Sequence, residues 1–379
     1  MKYFIIAGEA SGDLHASHLM AELKIKDSQA EFCYFGGDLM AEQGGILLKH
    51  YREMAFMGLF PVLFNLHKIK RNFDLAEKML LEFKPDVLIL VDYPGFNLRM
   101  AAFAKENNLR VFYYISPKIW AWKTKRVFKI KKFVDEIFTI FPFETEFYNK
   151  YGIRVNYVGN PTVDELSVRP NKNQTFDEFV SKNNLSRKPV IALLAGSRDH
   201  EISRILPVMT KVTDRFPQYQ FIIAGAPSQT QERYTKALGN YKIPVLFGQT
   251  YDLLQQSVAA LVASGTATLE TAVLNVPQVV CYRIEAGRLG SWIKDKIVKV
   301  PFISLVNLIT GREVVKELFQ EKCTPLTVGN ELDLILNDIQ YKEKMLNGYK
   351  EMRERLGDPG CAERAAELMV DTLSTTRNS

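Results

Sequence analysis

Short, almost unbroken runs of Val, Ile and Leu recur along this 379-residue chain, and each one stops at a turn. The run Val87–Val91, closed by Asp92, is the most apolar of them. A strand that is hydrophobic on both sides of its pleat must be covered on both faces, which suits parallel strands flanked by helices. In the first half the expected strands are Tyr3–Ala7, Glu31–Phe35, Val87–Val91, Arg110–Ile115, Glu136–Thr139 and Val155–Val158. Helical patterns lie between them, among them Lys68–Phe83 and Leu98–Asn107. The polar stretch 168–188 reads as a linker and a short helix, and the alternation then restarts with PVIALLAGSR, YQFIIAGAPS, IPVLFGQT, VAALVASGTATLE and VPQVVCYR. The pattern predicts an α/β chain of two Rossmann-like domains, 1–165 and 166–340, facing each other across a cleft. Residues 341–379 are expected to be a helical tail, broken at GDPG, that packs back on the first domain or is swapped in a dimer.

Composition narrows the function classes. A hydrophobic content of 47% with 24% charged residues is that of a globular protein, and the net charge of +6 is mild. The four cysteines are scattered without a CxxC pair, which argues for reduced thiols and against a zinc site or a disulfide frame. The apolar part of the opening MKYFIIAGEASGD is too short for a signal-peptide core, so a first strand and a cytoplasmic setting are expected. No apolar stretch reaches the roughly 18–20 residues that span a bilayer.

In open α/β sheets ligands bind beyond the carboxyl ends of the strands, and the unusual residues stand there. In the second half, Gly196, Ser197 and Arg198 close one strand and open a helix. A glycine lets a ligand approach the backbone, free N–H groups favour an anion, and a guanidinium forks onto phosphate oxygens. Ser264, Gly265 and Thr266 repeat the design, with Glu270 one or two turns further on to accept from ribose hydroxyls. Helix capping by Ser and Thr is the plainer alternative at either turn. Neither GxxxxGK[ST] nor GxGxxG is present, so these turns point to a nucleotide diphosphate rather than to a P-loop or NAD.

In the first half the strand ends carry acids instead. Asp92 ends the greasiest strand, where partial desolvation raises a carboxyl toward a useful base. Glu9, Ser11 and Asp13 occupy the matching end of the first strand, and Asn97 is either a helix cap or a ligand donor. These groups read as a site that holds or deprotonates an acceptor hydroxyl, with Asp13 equally placed to cap a helix. His15 is a candidate contact for an anionic acceptor group. His15 and His18 lack the further partners a metal needs, so no metal is expected.

Two stretches suit a membrane surface. Residues 56–73 are apolar and then basic, with Phe60, Val62, Leu63, Phe64 and Leu66 as candidate contacts. Residues 114–133 set Trp120 and Trp122 among seven cations, including Lys123 and Arg126, with no acid between them. An ordinary core helix and a solvated basic face are the respective alternatives, and nucleic acid is a rival for the second stretch.

Taken in order, AGEASGD, DVLILVDYPGFN, YISPKIWAWKTKRVFKI, FPFETEFYNKYG before VGNP, LLAGSR, SGTATLE and ISLVNLITGREVVKELFQE resemble the lipid-A-disaccharide synthase family, over roughly residues 3–320. The resemblance implies a two-domain type B glycosyltransferase fold (GT-B) and a cytoplasmic enzyme peripherally associated with the inner face of the inner membrane. It implies an inverting reaction between UDP-2,3-diacylglucosamine and 2,3-diacylglucosamine 1-phosphate (lipid X), giving a β-1′,6-linked disaccharide 1-phosphate and UDP, with no cofactor and no metal. On that pattern Asp92 is similar to the family's essential acid and Arg198 to its essential arginine. Glu9, Ser11 and Asp13 match the acceptor-side loop. Ser264, Gly265, Thr266 and Glu270 match the UDP turn and helix, and Asn307 lies in the matching ISLVNL segment. Where many members read GHP this chain has Gly159-Asn160-Pro161, and Asn does not titrate near neutrality. The rivals are another UDP-sugar transferase, a UDP-GlcNAc epimerase of the same fold, or a basic nucleic-acid-binding protein.

Overall fold

The strands assemble into two parallel sheets, seen in a computed structural model that describes residues 1–54, 66–120, 124–283 and 302–377. Contacts divide the chain into two units. The first is Met1–Pro161 with Asp358–Ser379 and the second is Thr162–Gly357.

The first sheet contains β1 (Lys2–Ala7), β2 (Glu31–Gly36), β3 (Ile46–His50), β4 (Val87–Val91), β5 (Val111–Tyr114), β6 (Glu136–Thr139) and β7 (Asn156–Tyr157). Their order is β3-β2-β1-β4-β5-β6-β7, and every pairing is parallel. Between the strands run α1 (Ala10–Lys26), α2 (Asp38–Glu42), α3 (Leu66–Phe83), α4 (Pro94–Glu106), α5 (Arg126–Phe133) and α6 (Pro142–Asn149). All five residues of β4 are buried, as a strand covered on both faces requires. Strand order reverses between β1 and β4, and the register Ala7 opposite Val91 sets Gly8 beside Asp92 at that switch point.

The second unit follows with α7 (Pro161–Ser167), α8 (Phe176–Lys182), β8 (Val190–Leu194), α9 (Asp199–Val212), β9 (Gln220–Gly225), α10 (Gln231–Leu238), β10 (Val245–Phe247) and α11 (Thr250–Gln255). Then come β11 (Ser257–Ala263), α12 (Thr266–Val273), β12 (Gln278–Tyr282), α13 (Leu305–Thr310), β13 (Glu317–Phe319), α14 (Pro325–Asn337) and α15 (Ile339–Leu356). The sheet order β10-β9-β8-β11-β12-β13 repeats the reversal, here between β8 and β11. Leu194 pairs with Val262, so Gly196 and Ser264 stand opposite one another just past the strand ends.

The tail divides between the units. Helix α15 stays with the second, where Gln278 Nε2 donates to Tyr349 Oη at 3.3 Å. The last helix, α16 (Cys361–Arg377), returns to the first. There Lys26 lies 3.6 Å from Glu363, and Arg364 Nε donates to the Val158 carbonyl at 2.9 Å.

The expected strands are present, and the structure adds two that the pattern did not suggest. β3 is an edge strand whose Ile46 and Leu47 remain exposed, and β13 is only three residues long. Helix α4 begins at Pro94, four residues before the expected Leu98, because the proline occupies a first-turn position where no N–H is needed.

Candidate active site

Asp92 sits in a turn that the backbone would not adopt unaided. Asp92 (φ 43°) and Tyr93 (φ 44°) are consecutive left-handed residues, and Ile115 (φ 58°) at the end of β5 is a third. Such conformations cost about 1–3 kcal/mol each and persist only where their surroundings over-determine them. Here the surroundings are specific. The Asp92 N–H donates to Ile115 O at 3.2 Å, and the Asp92 carbonyl accepts from Asn97 Nδ2 at 2.8 Å and Tyr113 Oη at 2.5 Å. With the backbone pinned by three bonds, the carboxylate is held at the switch point. Burial raises its pKa above the usual aspartate range, while the Lys118 charge and the Tyr93 N–H pull the other way.

Glu9 closes the adjoining turn, and Ser11 stands in the first turn of α1. Glu9 is half-buried at the start of α1, close enough to Tyr93 for its charge to add to burial in raising that phenol's pKa. A Cβ on Gly8 would fall 2.2 Å from Tyr93 Cδ1, so the glycine is what lets the two strand-end turns pack together.

Three expected site residues have other work. Asp13 is 3% exposed, and its oxygens accept from the N–H groups of Gly37 (2.7 Å), Leu39 (3.2 Å) and Met40 (3.2 Å). It therefore caps the neighbouring α2 rather than its own helix, and its buried carboxylate is taken up by backbone amides. Asn97 is fully buried inside the first turn of α4, so it is neither a cap nor an exposed donor but the clamp on the Asp92 carbonyl. His15 has its pKa pushed down to about 4 by burial and by His18, so near neutrality it brings no charge to an anion.

A second acid of this unit was not singled out from the sequence. Glu144 is 1% exposed beyond β6, and burial pushes its carboxyl up to about 7. It accepts from Phe141 N at 3.1 Å, Ile140 N at 3.2 Å and Ser116 Oγ at 3.1 Å, while Tyr148 Oη donates to Ser116 Oγ at 3.0 Å. This network fixes the segment that carries Lys118 toward Asp92.

The second unit places an anion trap at its own switch point. Gly196 turns with φ 101°, and the N–H groups of Ser197 and Arg198 both point at Glu201 Oε2, at 3.0 and 3.2 Å. The Arg198 guanidinium reaches Glu201 Oε1 at 3.3 Å. Two amides and a guanidinium thus converge on one carboxylate, which marks the spot as an anion position. Glu201 carried no role in the sequence reading, although an acid three residues into a helix is the capping-box signature. Across from it the Ser264 N–H is bound to Cys281 O, and Thr266 opens α12. Glu270, on α12, has its carboxyl pushed up to about 7 by burial and by Glu165, so it can donate as well as accept. Asn307, by contrast, is fully buried. Its Oδ1 accepts from Val314 N and Val315 N, and its Nδ2 donates to Val315 O and Glu317, so it braces β13 rather than facing a nucleotide. Among the described residues no cluster of three or more His, Cys, Asp or Glu is placed to hold a metal.

A family model described as Lipid-A-disaccharide synthetase matches residues 3–369. The chain belongs to the lipid-A-disaccharide synthetase family. The lipid-A-disaccharide synthase of Myxococcus xanthus is 39% identical over 99% of this chain and 98% of its own length. That of Coxiella burnetii is 33% identical over 97% and 98%. Among solved structures, a UDP-GlcNAc 2-epimerase from Neisseria meningitidis bound to UDP-GlcNAc shares the fold, with a TM-score of 0.69 at 15% identity over 99% of this chain and 100% of that one. The calicheamicin glycosyltransferase CalG4 does so with a TM-score of 0.57 at 13% identity over 98% of each. The chain therefore has the GT-B fold.

Against the family pattern, Asn160 is buried and donates Nδ2 to the Ile140 carbonyl at 2.9 Å, joining the chain crossover to β6. Of the expected membrane contacts, Phe60, Val62, Leu63, Phe64, Trp122 and Lys123 lie outside the described residues, as does the side chain of Leu66. Trp120 packs edge-on against Phe143, with ring centroids 4.9 Å apart. Beyond it, the basic helix α5, which starts at Arg126, leaves Phe128 62% exposed. Among the described residues no helix is long and apolar enough to cross a membrane.

Proposed function

We propose that the chain joins UDP-2,3-diacylglucosamine to 2,3-diacylglucosamine 1-phosphate, releasing UDP and the lipid A disaccharide 1-phosphate with inversion. It is a hexosyltransferase of lipid A biosynthesis. The observation that carries the division of roles is the contrast between the two switch points: a desolvated acid in a pinned turn in one unit, and converging amides with a guanidinium in the other. Asp92 takes the proton from the acceptor's 6-hydroxyl as that oxygen attacks the anomeric carbon, with Glu9 and Ser11 orienting the sugar. The Ser197 and Arg198 amides, the Arg198 side chain and the start of α12 at Thr266 stabilise the charge that grows on the departing diphosphate. No metal is required for that charge balance. Glu270 holds the ribose hydroxyls.

The enzyme works at the inner leaflet as a peripheral protein, docking through the apolar 56–66 stretch and the basic face around Phe128. This placement is supported by an exposed phenylalanine on a helix that also carries Lys129, Lys131 and Lys132. The test is mass spectrometry of the products from acylated donor and acceptor. Formation of the disaccharide and UDP supports the assignment. Consumption of UDP-GlcNAc without any acceptor would instead favour the epimerase chemistry named for several proteins of this fold.

A further inference from the structure

The described part of the first unit contains a polar cavity, of about 370 Å³, that the reaction above does not use. Its walls are Lys49, Arg52, Glu53, Lys68, Arg71 and Asn72. Four cations face one acid, and that acid is already paired, Lys49 Nζ lying 3.7 Å from Glu53. Lys68, Arg71 and Asn72 are spaced i, i+3 and i+4 along α3, so they share one helix face. Among the described residues neither Lys68 nor Arg71 has a carboxylate partner. Asn72 is only 3% exposed yet lines the cavity, so its amide is presented to that space from a buried position.

The cavity's position is equally informative. Lys49 belongs to β3 and Arg52 to the turn after it, so the cavity opens at the same carboxyl edge of the sheet as Asp92. Tyr93 Oη donates to the Met54 carbonyl at 3.0 Å, which ties the Asp92 turn directly to the cavity's rim. The segments that build it are also those that flank the apolar 55–65 stretch in sequence.

We propose that this cavity is a phosphate-ester site, serving either the phosphate of the acylated acceptor or the head group of an anionic phospholipid. Guanidinium and ammonium donors around a neutral amide suit a phosphate's several oxygens, and the size admits a phosphate with part of a sugar. The acceptor source rests on the function proposed above; the phospholipid source does not.

The experiment uses the full-length enzyme carrying Lys68→Gln and Arg71→Gln, both exposed positions, with Asn72→Leu as a separate, shape-preserving variant. In detergent, KM is measured for 2,3-diacylglucosamine 1-phosphate and for the same sugar lacking the phosphate. Sedimentation with phosphatidylcholine vesicles is measured with and without phosphatidylglycerol. For the acceptor source, KM for the phosphorylated sugar rises about tenfold or more, while that for the unphosphorylated sugar stays put. For the lipid source, both KM values stay put and binding to the anionic vesicles weakens by a similar factor. Variants that match the parent in both assays, with unchanged thermal melts, overturn the proposal. If the parent itself turns over neither sugar, the proposed reaction fails, and the vesicle assay still decides whether the cavity binds a phosphate ester.

Discussion

Replacing Glu144 with glutamine should make the enzyme's stability less sensitive to pH rising from acid to neutral, by an amount the structure fixes. The carboxyl is fully enclosed and titrates at about 7 in the folded chain, against an ordinary value of 4.5. Between those two values the folded state holds the proton more tightly than the unfolded one. Stability therefore falls as pH rises through this window and levels off above it. At pH 8 the accumulated loss is about 3 kcal/mol, of which about 2 kcal/mol accrues between pH 5.5 and pH 8. Glutamine keeps the shape: one oxygen still accepts from the Ile140 and Phe141 amides, and the new NH2 can donate to Ser116 Oγ. It has no proton to lose. Urea titrations of parent and Glu144→Gln at pH 5.5 and pH 8 should show the variant gaining about 2 kcal/mol on the parent between the two conditions. Glu270, also raised to about 7, depresses both proteins alike and cancels in the difference. If the two proteins lose stability in parallel, Glu144 ionises in place at little cost, and the reading of it as a neutral strut is wrong.

The catalytic assignments lead to changes that kinetics can read. Asp92→Asn should lower kcat by roughly 10²–10⁴-fold with little change in donor KM, since three backbone bonds keep the turn in place. Arg198→Ala should cost roughly 10²–10³-fold in kcat, like the loss of a donor to developing charge, and near-normal turnover in either variant would dismiss the assignment. Lys118→Ala removes the charge that partly offsets burial at Asp92, so the acidic limb of the kcat/KM profile should move to higher pH; an unmoved limb would separate Lys118 from the base. Gly8→Ala drives a methyl into the Tyr93 ring, and should cost roughly 1–3 kcal/mol of stability in urea titrations together with turnover, because the ring adjoins Asp92.

How far the site could be read from the sequence follows from what each residue's partners are. Strands such as Val87–Val91 announce themselves because burial on both faces leaves no polar position in the run, and the turn after such a strand is where a ligand must be met. That logic pointed to Asp92, Arg198 and the Ser264–Thr266 turn, the groups the proposed reaction uses. It gave no purchase on β3, whose exposed Ile46 and Leu47 break the burial pattern, or on β13, too short to show a period. It also misjudged Asp13 and Asn307, for a different reason. An acid or amide at a strand end looks the same whether it faces a substrate or a distant backbone. The partners that claim these two, Gly37 for Asp13 and Glu317 for Asn307, come from separate elements that only the tertiary fold brings near. Glu144 and Glu201 were legible in principle: one is an acid wedged among aromatics in FPFETEF, the other closes a capping box. Both are carboxylates spent on backbone amides, one buried to hold a loop and the other filling an anion position. In this chain the acids at the strand ends are therefore sorted by how many N–H groups they already satisfy. Asp92, whose turn is held chiefly through its backbone, is the one to which the proposed reaction gives the proton.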